Sequence, residues 1–176
     1  AHQGTLRKDF ASGVSRSPAE LAEHYGEQAA QAARFLNESH GAYWGRRADQ
    51  FLVAALPRSA TGRANVELLG RAADSLLVKG DLSAAIKAYD EATAAAKAAS
   101  DWQAVFELSY KAALVEQQRG SHGEAARRLR TLARSLGTHE QAPAAHLLAA
   151  WNAGQQARSE PAAAETYRTL LREHLT

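Results

Sequence analysis

The chain has 176 residues, enough for one domain with a real core. Its 21 basic and 19 acidic residues leave a formal charge of +2, too balanced to imply nucleic acid or an anionic membrane as a partner. The absence of cysteine excludes disulfides and thiolate metal sites, and no apolar run approaches the ~20 residues of a membrane span.

Alanine fills 41 positions, far above ordinary usage, and it is the strongest helix former. Arginine outnumbers lysine 16 to 5, a bias that accompanies alanine in GC-rich bacterial genes. An all-α fold of bacterial origin is the first expectation. The chain begins at Ala1 and has no methionine, so it reads as a piece of a longer protein. The N-terminus lacks a signal-peptide apolar core. The compartment stays open between the cytoplasm and the soluble part of an exported or membrane-anchored protein.

Residues 1–17 read as a polar arm with scattered Leu6, Phe10 and Val14. "SPAE" then starts a helix: Ser17 caps, Pro18 suits the first helical position, and Glu20 completes a capping box. Leu21, Tyr25, Ala29, Ala32 and Leu36 form its apolar stripe to about Ser39. A second helix carries Tyr43, Trp44, Ala48, Phe51, Leu52 and Leu56. Together they make an N-terminal hairpin over 18–57, either a diverged repeat or a cap. "LPRSATG" is the clearest break in the chain.

Further helices are predicted over 62–79, 82–99 and 102–119, separated by Gly80-Asp81 and Ser100-Asp101. Another follows "GSHGEA", where Ser121 and Glu124 suggest a capping box, and ends near Ser135 to Gly137. One more starts at about 142, with Pro143 in its first turn. The last, capped by Ser159 with Pro161 in its first turn, runs to Leu175. No stretch alternates in the manner of a strand.

Three of these breaks lead into one pattern. A small residue (Ala85, Ala125, Ala163) is followed four positions later by a large one (Tyr89, Leu129, Tyr167). Three positions after that comes another apolar one (Ala92, Leu132, Leu170). The copies stand 38 to 40 residues apart. Ahead of them lie Leu69, Ala72, Ala73 and Leu76, then Ala112 and Ala113, then Leu147, Ala150 and Trp151. Stacked hairpins would share the core that none could bury alone. Over 62–176 this resembles the tetratricopeptide repeat (TPR) family in a long-helix variety. The resemblance implies a right-handed solenoid of antiparallel helix hairpins, about eight helices in all, with three repeat pairs in 62–176. Glu116 stands where the family has an apolar residue, and Arg158 replaces the turn glycine of the third copy.

The resemblance further implies a non-catalytic scaffold that binds a protein or peptide along the first helices of its hairpins. Carried over by position, the lining is Glu67, Asp74, Leu77, Glu107, Tyr110, Lys111, Leu114, Gln117, Leu148, Asn152 and Gln155. Tyr110 is its expected exposed anchor; ordinary solvated helix surface is the competing reading of every member. The basic clamp that some TPR proteins use for carboxylates is not assembled by Lys111 and Asn152 alone.

Other groupings read more plainly. Arg127, Arg128, Arg130 and Arg134, with Arg119 nearby, form a basic face, read as solvated because no aromatic residue interleaves. A nucleic-acid site there would need steep salt dependence. Tyr43 and Trp44 of "HGAYWGRR" read as a seal between hairpin and repeats, Trp102 and Trp151 as core. His139 and His146 do not share a helical face, there is no HExxH, and no nucleophile elbow, P-loop or dinucleotide fingerprint occurs. No enzyme activity, metal or cofactor is expected. Two alternatives stay open. One is a structural module that self-associates through its ends, Trp44 at one side and Tyr167 and Leu171 at the other. The other is a helical domain with a small-ligand pocket between hairpin and repeats.

Overall fold

A computed structural model describes residues 17–55 and 63–175. The expected arm and the break at 56–62 lie outside the described residues. The described residues are all-α, with eight α-helices packed as sequential antiparallel pairs. They are α1 (Pro18–His40), α2 (Ala42–Ala55), α3 (Arg63–Val78), α4 (Leu82–Ala98), α5 (Trp102–Gln118), α6 (His122–Ser135), α7 (Ala142–Ser159) and α8 (Ala164–Leu175).

The capping box at the first helix forms as its chemistry requires. Glu20 N–H donates to Ser17 Oγ at 3.3 Å, and Ser17 N–H donates to Glu20 Oε2 at 2.6 Å. The box expected at Ser121 and Glu124 does not form, because Arg119 takes both side chains. Its Nε reaches Ser121 Oγ at 3.1 Å and its guanidinium reaches Glu124 at 2.9 Å. Ser159 does not cap the last helix either. It ends α7, and a 3-10 turn, Pro161–Ala163, leads into α8.

The joints after α3, α4 and α5 are built alike. Gly80, Ser100 and Gly120 adopt left-handed φ of 80°, 55° and 82°. In each, the next residue's N–H closes a loop onto the helix: Asp81 to Leu76 O, Asp101 to Ala96 O, Ser121 to Glu116 O, at 2.9 to 3.1 Å. That is the Schellman closure, which satisfies carbonyls left open at a helix end. Asp81 and Asp101 then cap the following helix through Ala84 and Ala104 N–H, each at 3.0 Å. The joints recur every 20 residues, half the spacing of the small–large pattern.

Ala85, Tyr89 and Ala92 are buried, as are Ala125, Leu129 and Leu132. In the third copy only Leu170 is buried, since no later helix among the described residues covers α8. Gly154 on α7 permits close approach of α8, where the Tyr167 ring lies 3.2 Å from the position a Cβ would take. Two apolar clusters share α5. Phe106 and Ala113 face α6, α7 and α8, while Val105, Leu108, Ala112 and Val115 face α3 and α4.

Trp102 and Trp151 are not core: they are 55% and 47% exposed. On α7 the buried side is lined instead by Ala142, Ala145, Ala149, Ala150 and Ala153, which puts Leu147 and Trp151 outside. Helix α1 buries Gly26, Ala30 and Ala33, one position off the expected stripe, and leaves Tyr25 exposed. Helix α2 buries Gly45 and Asp49 and exposes Tyr43, Trp44 and Phe51. Tyr43 and Trp44 therefore do not seal the hairpin; their rings pack edge to face on each other at 5.4 Å. Charge is one tie between the hairpin and α3. Arg34 donates to Glu67 at 2.8 Å, and Arg71 lies 3.2 Å from Glu67 and 3.1 Å from Asp49. Burial raises the Asp49 carboxyl above its ordinary range, against the pull of Arg71.

Candidate functional site

The residues assigned to the lining lie on α3, α5 and α7, and several meet across neighbouring helices. Asp74 accepts from Lys111 Nζ at 3.0 and 3.1 Å, and from the buried Tyr89 hydroxyl. Burial, then Asp74 itself, pushes the Tyr89 phenol well above its usual range, so it remains a donor. Asn152 donates to Gln117 Oε1 at 2.9 Å and to Leu148 O at 3.0 Å; its own Oδ1 accepts from His122 Nδ1 at 2.9 Å. Asn152 is fully buried, so this network joins α5, α6 and α7 and does not face solvent.

Glu67, Glu107 and Lys111 border a shallow cleft of about 340 Å³ between α3 and α5. Glu67 is held by Arg34 and Arg71, and Glu107 by Gln103 at 2.7 Å. Tyr110 is half-buried, not exposed, and stacks on Phe106 at 6.1 Å. Leu77 and Leu148 lean on the two apolar clusters. Leu114 stays exposed and Gln155 is half-buried. Most polar groups on this side are already spent on one another.

The other side of α5 differs. A groove of about 930 Å³ runs between α4 and α6 with α5 as its floor. On α5 and its C-cap it is lined by Trp102, Val105, Ser109, Glu116 and Arg119, a stripe spanning the whole helix, about 26 Å at helical rise. Ile86 and Leu132 add apolar surface from the walls, and Trp102 stands at one end. Thr93 in the α4 wall is 6% exposed, and its hydroxyl has no hydrogen-bond partner.

Across the groove, Arg128 donates to Glu116 at 2.7 and 3.1 Å and to Asp90 at 2.5 and 3.4 Å. Glu116 is 5% exposed. Burial alone would lower the Arg128 guanidinium; the bonds to Glu116 and Asp90 outweigh it and hold the charge more firmly. Glu116, at a position where the sequence reading set an apolar residue, is thus a buried carboxylate with a matched partner.

The expected basic face separates into two groups. Arg119, Arg128 and Arg130 are occupied by Glu124, by Glu116 with Asp90, and by Glu173. Arg134 acts on Glu173 electrostatically, while Arg127 and Lys97 have no carboxylate within ion-pair distance among the described residues. The groove and its unpaired cations escaped sequence reading because they depend on α4 lying beside α6. The signal that could have pointed there was Glu116 itself, an acid at an apolar position.

Among the described residues, no three His, Asp or Glu side chains are placed to hold a metal ion, and no helix is long and apolar enough to cross a membrane. Comparison of the chain with protein-family models, with curated proteins and with solved structures finds no match.

Proposed function

We propose that this chain is a non-catalytic, TPR-like scaffold module of a larger, bacterial protein, and that it binds a protein or peptide segment. The observation that carries the reading is the groove along α5. It has apolar patches on floor and walls between charged side chains, an exposed tryptophan at its mouth, and length for about eight residues of extended chain. Exposed aromatic residues beside apolar surface are the usual anchors of such contacts. This moves the binding surface from the expected lining, whose polar groups are internally matched, to the opposite side of α5.

The test is a phage-displayed 12-residue peptide library, selected on the parent and on a groove-blocked variant, Ala94→Tyr with Trp102→Ala, both at exposed positions. Peptides that bind the parent and lose at least tenfold on the variant support the reading. Equal capture by both proteins, or no enrichment at all, sinks it.

One observation favours a second reading, self-association. Tyr25, Phe35, Tyr43, Trp44 and Phe51 are all exposed on α1 and α2, and Phe51 is 74% exposed. Five large exposed apolar side chains on one hairpin are the kind of surface that partners cover. At the other end Tyr167 and Leu171 pack against the C-terminal cluster, so α8 offers less. Sedimentation of the parent and of Trp44→Ser/Phe51→Ser decides. Dimers in the parent and monomers in the variant favour it; monomers in both remove it.

A further inference from the structure

Seven charged side chains line the groove along α5, and their pairing leaves a residue of one sign. Each of its three carboxylates is already met: Asp90 and Glu116 by Arg128, and Glu124 by Arg119. Lys97 and Arg127 are exposed and without an acidic partner among the described residues. Lys97 lies in the last turn of α4, beside Trp102 at the start of α5. Arg127 lies in the second turn of α6, toward the far end of α5. By helical rise the two stand roughly 15 Å apart along the groove. Between them Val105 on the floor and Leu132 on the α6 wall supply apolar surface, with Ser109 also lining that stretch.

Resting on the peptide-binding reading above, we infer that the groove takes an acidic segment, with carboxylates flanking an apolar centre. Two cations at that separation suit acidic side chains four or five residues apart on an extended chain. Apolar side chains between them would lie on Val105 and Leu132. A basic segment would meet two uncompensated like charges and find no carboxylate not already bonded to arginine. Nucleic acid fits less well, because only two cations are left for phosphates and Trp102 is the one aromatic ring in the lining.

The same library selection, read for composition, tests this. The expected result is groove-dependent peptides enriched in Asp and Glu on both sides of an apolar centre. Their affinity should fall at least tenfold on Lys97→Glu/Arg127→Glu, a variant altered at exposed positions only, and fall again between 50 and 500 mM NaCl. Groove-dependent peptides with no acidic bias, or affinity unmoved by the charge reversal, overturn the inference and leave the peptide-binding reading intact. Absence of groove-dependent peptides overturns both. A 20-nucleotide oligo(dT) that displaces the selected peptides at micromolar concentration overturns the inference in favour of nucleic acid.

Discussion

Glu116 and Arg128, twelve residues apart, form a two-pronged ion pair from α5 to α6, with the carboxylate almost wholly buried. Removing one partner of such a pair leaves an uncompensated charge in a poorly solvated place. Arg128→Met should lose about 3 kcal/mol in urea unfolding. Adding Glu116→Leu should restore most of the loss, since a buried pair is often replaceable by apolar groups of similar size. A double variant as unstable as the single one would show that Arg128 acts through Asp90 instead.

Ser100 is the one non-glycine residue with a left-handed φ among the described residues. A side chain costs about 1 kcal/mol in that conformation. Ser100→Gly should therefore raise the melting temperature, with a gain of up to about 1 kcal/mol. Gly120→Ala, at φ 82°, should lower it by a similar amount. Calorimetry on the two variants checks both signs.

The Asn152 network predicts a cost without any binding partner. Asn152→Ala leaves Gln117 and His122 without their shared amide in a buried place, at about 2 kcal/mol. The urea midpoint should fall with its slope unchanged. A variant at this position therefore tests stability before it tests recognition.

Helix α8 should respond to acid. The hydrogen bond from Arg130 holds the Glu173 carboxyl below its ordinary range, with burial opposing and His146, 3.4 Å away, assisting. A depressed folded-state value stabilises above the ordinary glutamate range, and that stabilisation is lost as pH falls through the folded value. The pair is about a third exposed, so its worth is no more than about 1 kcal/mol. Amide exchange in α8 should be slower in the parent than in Glu173→Gln at pH 7, and the difference should vanish once the pH has fallen below the lowered Glu173 value.

The helix breaks were legible because glycine, aspartate and serine act locally. Gly80-Asp81 and Gly120-Ser121 could be recognised without knowing any neighbour. The burial of Ala85, Tyr89 and Ala92 was legible for a similar reason, since spacing alone puts them on one face. Faces of alanine were not. On α7 alanine occurs on every side, so Leu147 and Trp151 looked like core when the smaller residues were what let the helices approach. The charged site was the least legible part. Whether Asp74 meets Lys111, or Arg128 meets Asp90, depends on which helices become neighbours, 37 and 38 residues apart in the chain. The break at Ser100-Asp101 was legible too, but not the left-handed φ of Ser100, because serine stands where its two counterparts have glycine.

The 20-residue recurrence of the joints sets a rule for excision. Deleting residues 81–120 would splice Lys79-Gly80 directly to Ser121, rebuilding a joint of the same kind and leaving every later helix pointing as before. Deleting residues 81–100 would splice Gly80 to Asp101, also a competent joint, yet it would reverse every helix from α5 onward relative to α3. The shorter cut should therefore be the more damaging one, a parity effect that a count of lost residues would order the other way.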